Sequence, residues 1–145
     1  MSSLISTQGI ELDVEVATSE QAICLAGELL ARVGAVSEEY TAGMLAREVQ
    51  FSTALGMGFA FPHGTPESQK HVVFDQVVFL RLKNEISWGS ERVQLVVALA
   101  ASSDMHQIFL GNIANRIASG ELVQDLLEAT TKDQVVALLS SHDSR

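Results

Sequence analysis

The residues best suited to chemistry fall in one short stretch, Phe51 to Thr65, which reads FSTALGMGFAFPHGT. Gly56, Gly58 and Gly64 bracket an apolar run, Phe59-Ala60-Phe61, that breaks at Pro62 and delivers His63. Glycine permits close backbone approach, while proline fixes its own torsion and biases the preceding residue to extended geometry. The expected object is a strand that stops abruptly and presents an imidazole at its exit. A neutral imidazole so placed is a nucleophile toward an electrophile such as a phosphoryl group, once its second nitrogen is held by a hydrogen bond. The dianionic product asks for donors and a cation. Those to hand are the N–H of Gly64, the hydroxyl of Thr65, a helix N-terminus and the guanidinium of Arg47. Three glycines and a proline around one histidine are costly for packing, and such local inconsistency marks functional sites.

A second histidine, His106, falls in the first turn of a helix that Ser103 is placed to cap. A helix N-terminus disfavours a protonated imidazole and offers N–H groups to an anion. Arg47 has two readings that sequence leaves open, a site cation or a helix-end cation satisfying the macrodipole. Of the remaining histidines, His71 reads as a surface residue and His142 as part of an inert polar tail.

These groups must be held by a folded chain of 145 residues, enough for one domain with a real core. Nine Lys and Arg against eighteen Asp and Glu give a net charge of −9, and no basic stripe suits a nucleic acid. The single cysteine, Cys24, excludes an internal disulfide and a cysteine-based zinc site, and reads as a small buried or half-buried side chain. No signal peptide or membrane-spanning run is visible, so the expected location is the cytoplasm, without membrane insertion.

Residues 1–8 read as a loose polar start and Gly9 to Val16 as a first strand. Thr18 and Gln21 stand at capping-box spacing before a helix that Gly34 stops. Ser37 is the expected cap of a second helix, with Glu38 and Glu39 in its first turn and Arg47 in its last. Val72 to Leu82 reads as a long strand, Lys83-Asn84-Glu85 as a turn, Ile86 to Gly89 as a short extended piece, and Val93 to Ala100 as a strand buried on both faces. Helices follow at Asp104–Ala118 and Glu121–Ala129. Thr131 and Gln134 open a last helix ending near Leu139, before a polar tail, 141–145. The mixture argues a single α/β sandwich.

The same residues carry a family resemblance. Gly56-x-Gly58-Phe-Ala-Phe-Pro62-His63-Gly64-Thr65 resembles the phosphorylation-site signature of the IIA domains of the sugar phosphotransferase system, mannitol/fructose class. Met44-Leu45-Ala-Arg47-Glu48 with Ser52-Thr53 matches the stretch before it, and Ala100-Ala-x-x-Asp104-Met-His106 resembles the second-histidine motif. The Pro-His-Gly-Thr ending and Trp88-Gly89 look closest to the mannitol members. The resemblance covers nearly all of 1–145 and implies a mixed β-sheet flanked by helices. It implies that His63 accepts a phosphoryl group, through Nε2, from the phosphocarrier HPr and passes it to a cysteine of a IIB domain on a separate chain. His106 would then stabilise the phosphoryl group, Arg47 neutralise its charge, and Gly64, Thr65 and Ser103 support it, with no cofactor or metal. Two departures stand out. Phe59 and Phe61 replace smaller aliphatic residues, and Met105 replaces an acidic one. Two alternatives remain: a regulatory phosphoprotein of the same fold acting on a non-transport partner, and a metal-dependent hydrolase using His63, Asp104 and His106.

Overall fold

The computed structural model describes residues 4–101, 103–118 and 120–140, with the first four residues of the 103–118 helix described by backbone alone. Strand β1 (Ile10–Val14) leads into helix α1 (Ser19–Arg32). Thr18 Oγ1 accepts the N–H of Gln21 at 3.1 Å, and Gln21 Oε1 reaches back to the N–H of Ala17 at 2.7 Å, so the capping pair forms one residue wider than the standard box. At the far end Gly34 has φ +88, its N–H bonds Ala31 O, and the N–H of Ala35 bonds Leu30 O. That pair of bonds is a Schellman stop, which requires the left-handed conformation at Gly34.

Helix α2 spans Tyr40–Gln50 and begins later than Ser37 promised. The Ser37 hydroxyl lies 3.2 Å from His71 Nδ1 instead, and the cap position is Glu39. Glu39 still benefits: its carboxyl is held below the ordinary carboxylate range, chiefly by the Ser37 hydroxyl. His71 is half-buried rather than a surface residue and closes a 3-10 turn, Pro66–His71, and the strand expected from Val72 begins only at Gln76.

Next come β2 (Ala54–Gly56) and β3 (Phe59–Ala60), an antiparallel hairpin. Its two-residue loop, Met57-Gly58, has positive φ at both positions, the primed turn whose twist suits a hairpin. The long strands β4 (Gln76–Trp88) and β5 (Glu91–Ala100) pair antiparallel through a turn at Gly89. Lys83-Asn84-Glu85 is not a turn between elements. The register shifts between Arg81 and Ile86, so these exposed residues form a bulge within β4, which resumes at Ile86. Helices α3 (Ser103–Ala118), α4 (Glu121–Glu128) and α5 (Lys132–Ser140) complete the chain.

The sheet order is β1-β4-β5-β3-β2, with β1 parallel to β4 and β3 parallel to β5. From Leu95 onward side chains alternate along β5: Val96, Ala98 and Ala100 face the layer of α1 and α2, while Leu95, Val97 and Leu99 face that of α3 to α5. Phe59 and Phe61 join the second layer with rings 5.6 Å apart, in the same core cluster as residues of the C-terminal helices. Ile5 is buried in this layer and Leu4 O accepts the N–H of Val77, so the chain start is docked from residue 4 rather than loose to residue 8. Arg81 is buried and donates from Nη1 to the carbonyls of Leu126 at 3.1 Å and Ala129 at 2.6 Å, tying the end of α4 to the sheet. The fold is a single α/β unit, a mixed sheet between two helical layers.

Candidate functional site

β3 proper ends at Ala60, but its register against β5 persists: Phe59 faces Leu95, Ala60 faces Val96, and His63 bridges Leu99. The N–H of Leu99 bonds Pro62 O at 3.0 Å, while proline has no N–H to continue the ladder, which is why β3 proper stops before it. His63 thus leaves the sheet beside the end of β5, a few residues before α3 begins. Its Nδ1 lies 2.9 Å from Phe61 O. A carbonyl only accepts, so in the neutral ring Nδ1 carries the proton and Nε2 carries the lone pair.

An open cleft of about 550 Å³ is lined by Arg47, His63, Gly64, Pro66, Gln69, Gln107 and Leu110. It draws on α2, the β3 exit, the 3-10 turn and α3. No carboxylate lines it among the described residues, although the chain carries a net charge of −9. Arg47 supplies its fixed positive charge. Its Nη1 donates to Phe51 O at 2.8 Å and its guanidinium lies 6.0 Å from the Phe51 ring. The guanidinium therefore fastens the end of α2 while standing on the cleft wall.

The supporting residues require correction. The N–H of Gly64 is not free for an anion: it donates to the Tyr40 hydroxyl at 2.9 Å. Glycine is needed there for space, since a Cβ would lie 2.7 Å from Tyr40 Cε1 and 2.2 Å from Ser68 Oγ. Thr65 is buried and does not line the cleft; its Oγ1 caps the 3-10 turn by accepting the N–H of Ser68 at 3.3 Å. Ser103, Asp104 and His106 occupy the first turn of α3, and their side chains lie outside the described residues. Gln107, next to His106, does line the cleft.

Two residues that sequence reasoning passed over organise this corner. Tyr40, the sole tyrosine, is buried at the start of α2, and its hydroxyl donates to Leu99 O at 3.0 Å. Burial raises its phenol above the ordinary value, with the Gly64 N–H opposing, so the hydroxyl remains a donor at neutral pH. Glu48 gathers the N–H of Thr53 at 3.0 Å, the Thr53 hydroxyl at 2.6 Å and the Trp88 indole N–H at 2.9 Å. Thr53 O in turn accepts the N–H of Phe61, two residues before His63. A glutamate beside Arg47, followed by a threonine and a distant tryptophan, was visible in the sequence, but its hub character needs three dimensions.

Comparison with known proteins shows the family. Residues 3–142 match the family described as phosphoenolpyruvate-dependent sugar phosphotransferase system, EIIA 2. The mannitol-specific phosphotransferase enzyme IIA component of Staphylococcus aureus is 32% identical over 144 residues, covering 99% of this chain and all of that protein. The structure of Escherichia coli enzyme IIAMTL, solved in complex with phosphorylated enzyme IIBMTL, superposes with a TM-score of 0.86 at 33% identity, covering 94% of this chain and 98% of that one. The nitrogen regulatory protein IIA-Ntr of Neisseria meningitidis gives 0.80 at 25% identity, covering 94% and 96%. With its matched span running nearly end to end and its fold shared with enzyme IIAMTL, the chain belongs to the EIIA 2 family of the sugar phosphotransferase system.

Proposed function

We propose that this chain is a phosphohistidine carrier that accepts a phosphoryl group on His63 from phospho-HPr and passes it to the cysteine of a IIB domain, for uptake and phosphorylation of mannitol. The observation that carries this reading is the imidazole held at Nδ1 by Phe61 O, in a cleft walled by Arg47 and by no described carboxylate. Nε2 attacks phosphorus as the bond to the donor's histidine breaks. The proton stays on Nδ1, hydrogen-bonded to Phe61 O, and the electron pair of the broken bond returns to the donor's imidazole. Transfer to the IIB thiolate reverses these roles, with phosphorus leaving Nε2. Such chemistry asks for position and charge stabilisation. Arg47 neutralises the dianion by releasing Phe51 O, and His106 donates to it from the first turn of α3. Incubation with enzyme I, HPr and phosphoenolpyruvate yields an acid-labile, base-stable phosphoprotein. Label retained in His63→Ala would overturn the assignment.

A regulatory role has support in the likeness to IIA-Ntr, though identity and superposition are both higher for the mannitol protein. Single-turnover transfer to a purified mannitol-type IIB domain separates the readings. Rapid transfer supports transport, and its absence supports regulation.

A further inference from the structure

In a regular parallel ladder, the residue facing Leu99 is followed by one whose N–H bonds Leu99 O directly. His63 faces Leu99, and the N–H of Leu99 bonds Pro62 O at 3.0 Å, as the ladder requires. The next rung is different. The N–H of Gly64 goes to Tyr40 Oη at 2.9 Å, and the Tyr40 hydroxyl donates to Leu99 O at 3.0 Å. A phenol from α2 is spliced into the ladder one residue past the imidazole, and its ring packs where a Gly64 side chain would stand.

We propose that Tyr40 is a positioning residue for the reaction at His63, its hydroxyl spacing Gly64 from Leu99 so that the imidazole keeps Nδ1 on Phe61 O and Nε2 available to phosphorus. This rests on the phosphohistidine reading above. A core-filling role would need only the phenyl ring. The hydroxyl instead satisfies one donor and one acceptor that lie on either side of His63. It fixes the exit of β3 against both α2 and β5 at the point where the chain turns into the cleft. In Tyr40→Phe, the Gly64 N–H and Leu99 carbonyl either stand unpaired or close on one another. In both cases the imidazole loses its fixed distance from Phe61 O.

The test compares the parent with Tyr40→Phe and with Ile23→Val, which trims one methylene from the same core cluster as Tyr40. Nitrogen-15 spectra of the His63 ring, recorded above its titration, report the tautomer without any partner protein. The parent is expected to show the Nδ1–H form alone and Tyr40→Phe a mixture. Single-turnover transfer from phospho-HPr is expected to slow about tenfold in Tyr40→Phe, with partner affinity unchanged, since small misplacements of reacting groups cost rates of this order or more. Ile23→Val is expected to leave tautomer and rate unchanged. An unaltered tautomer and rate in a folded Tyr40→Phe overturn the proposal, as does equal slowing in Ile23→Val, which would mark a general packing effect. A parent that takes no label at His63 defeats the carrier reading instead, while the spectra still judge the tautomer. Should Tyr40→Phe fail to fold, the same spectra on the chain carrying 3-fluorotyrosine, a more acidic phenol, in place of Tyr40 must show the tautomer loosening as that phenol ionises, and an unchanged tautomer refutes the splice.

Discussion

Glu48 offers a perturbation whose size follows from donor counting. Its Oε2 accepts two N–H groups, from Thr53 and from the Trp88 indole, and its Oε1 accepts the Thr53 hydroxyl. Thr53 is 4% exposed and Trp88 fully buried, so neither N–H has water to fall back on. In Glu48→Gln the amide oxygen fits the Oε2 position and keeps both N–H groups. The amide NH2 then faces the Thr53 oxygen, and a hydroxyl can turn about and accept. Only charge assistance is lost, worth about 1 kcal/mol. Glu48→Ala strands two buried N–H donors at about 1–3 kcal/mol each, for a total near ~4 kcal/mol. At roughly 3 °C per kcal/mol for a domain of this size, the expected falls in Tm are about 3 °C and about 12 °C. Thermal unfolding followed by circular dichroism measures both. Emission from Trp88, the sole tryptophan, reports locally whether the indole N–H has lost its partner. Equal losses in the two variants would refute the donor count, because they would make the charge rather than the acceptor geometry decisive.

Gly64→Ala is expected to destabilise by about 3 kcal/mol, since a Cβ at 2.7 Å from the buried Tyr40 ring cannot be relieved by a flexible side chain, and overpacking combines with a strained hydrogen bond; urea denaturation measures it. Arg81→Met is expected to cost about 3 kcal/mol by orphaning the carbonyls of Leu126 and Ala129, whereas Asp13→Asn costs under about 0.5 kcal/mol, because Asp13 is largely exposed and its φ of +57 suits asparagine. Arg47→Ala is expected to lower stability by only about 0.5 kcal/mol, the worth of an exposed bond to Phe51 O, yet to slow phosphoryl transfer on the order of a hundredfold; single-turnover kinetics alongside denaturation separate the two effects. The phenol of Tyr40 has its pKa raised by burial, so its stabilising contribution is complete below the ordinary phenol value of about 10 and is lost as pH climbs through the raised one. The alkaline fall in stability should therefore shrink in Tyr40→Phe, as pH titration of the unfolding free energy will reveal.

What sequence could say was local. The Schellman stop at Gly34 and the Thr131–Gln134 cap depend on residues a few positions apart, and both stand where spacing put them, with Thr131 Oγ1 accepting the Gln134 N–H at 3.2 Å. The exit of His63 from a strand was legible because proline and glycine impose it from within the chain. The failures share a different cause. Ser37 was expected to cap α2, but a distant histidine, His71, competes for its hydroxyl. The Gly64 N–H was assigned to an anion because nothing near it in sequence claims it; Tyr40, far upstream, does. Lys83-Asn84-Glu85 carries a turn's composition, yet β5 continues alongside and absorbs the extra residues as a bulge. Ile5 lies in a polar context but is buried in the same core cluster as Phe79 and Leu139.

The division of the core by the sheet has a consequence for the order of events in folding. Arg47 arrives with the α1–α2 layer, Gln107 and Leu110 with the opposite layer, and His63 with β3, which pairs to β5 across a long separation in sequence. Contacts of high sequence separation form late, after loop-closure entropy has been overcome. The cleft is therefore absent from any intermediate in which a single helical layer has docked. A partly unfolded chain presents His63 without its surroundings, so the competence of this corner reports that α2, the β3 exit and α3 have all docked.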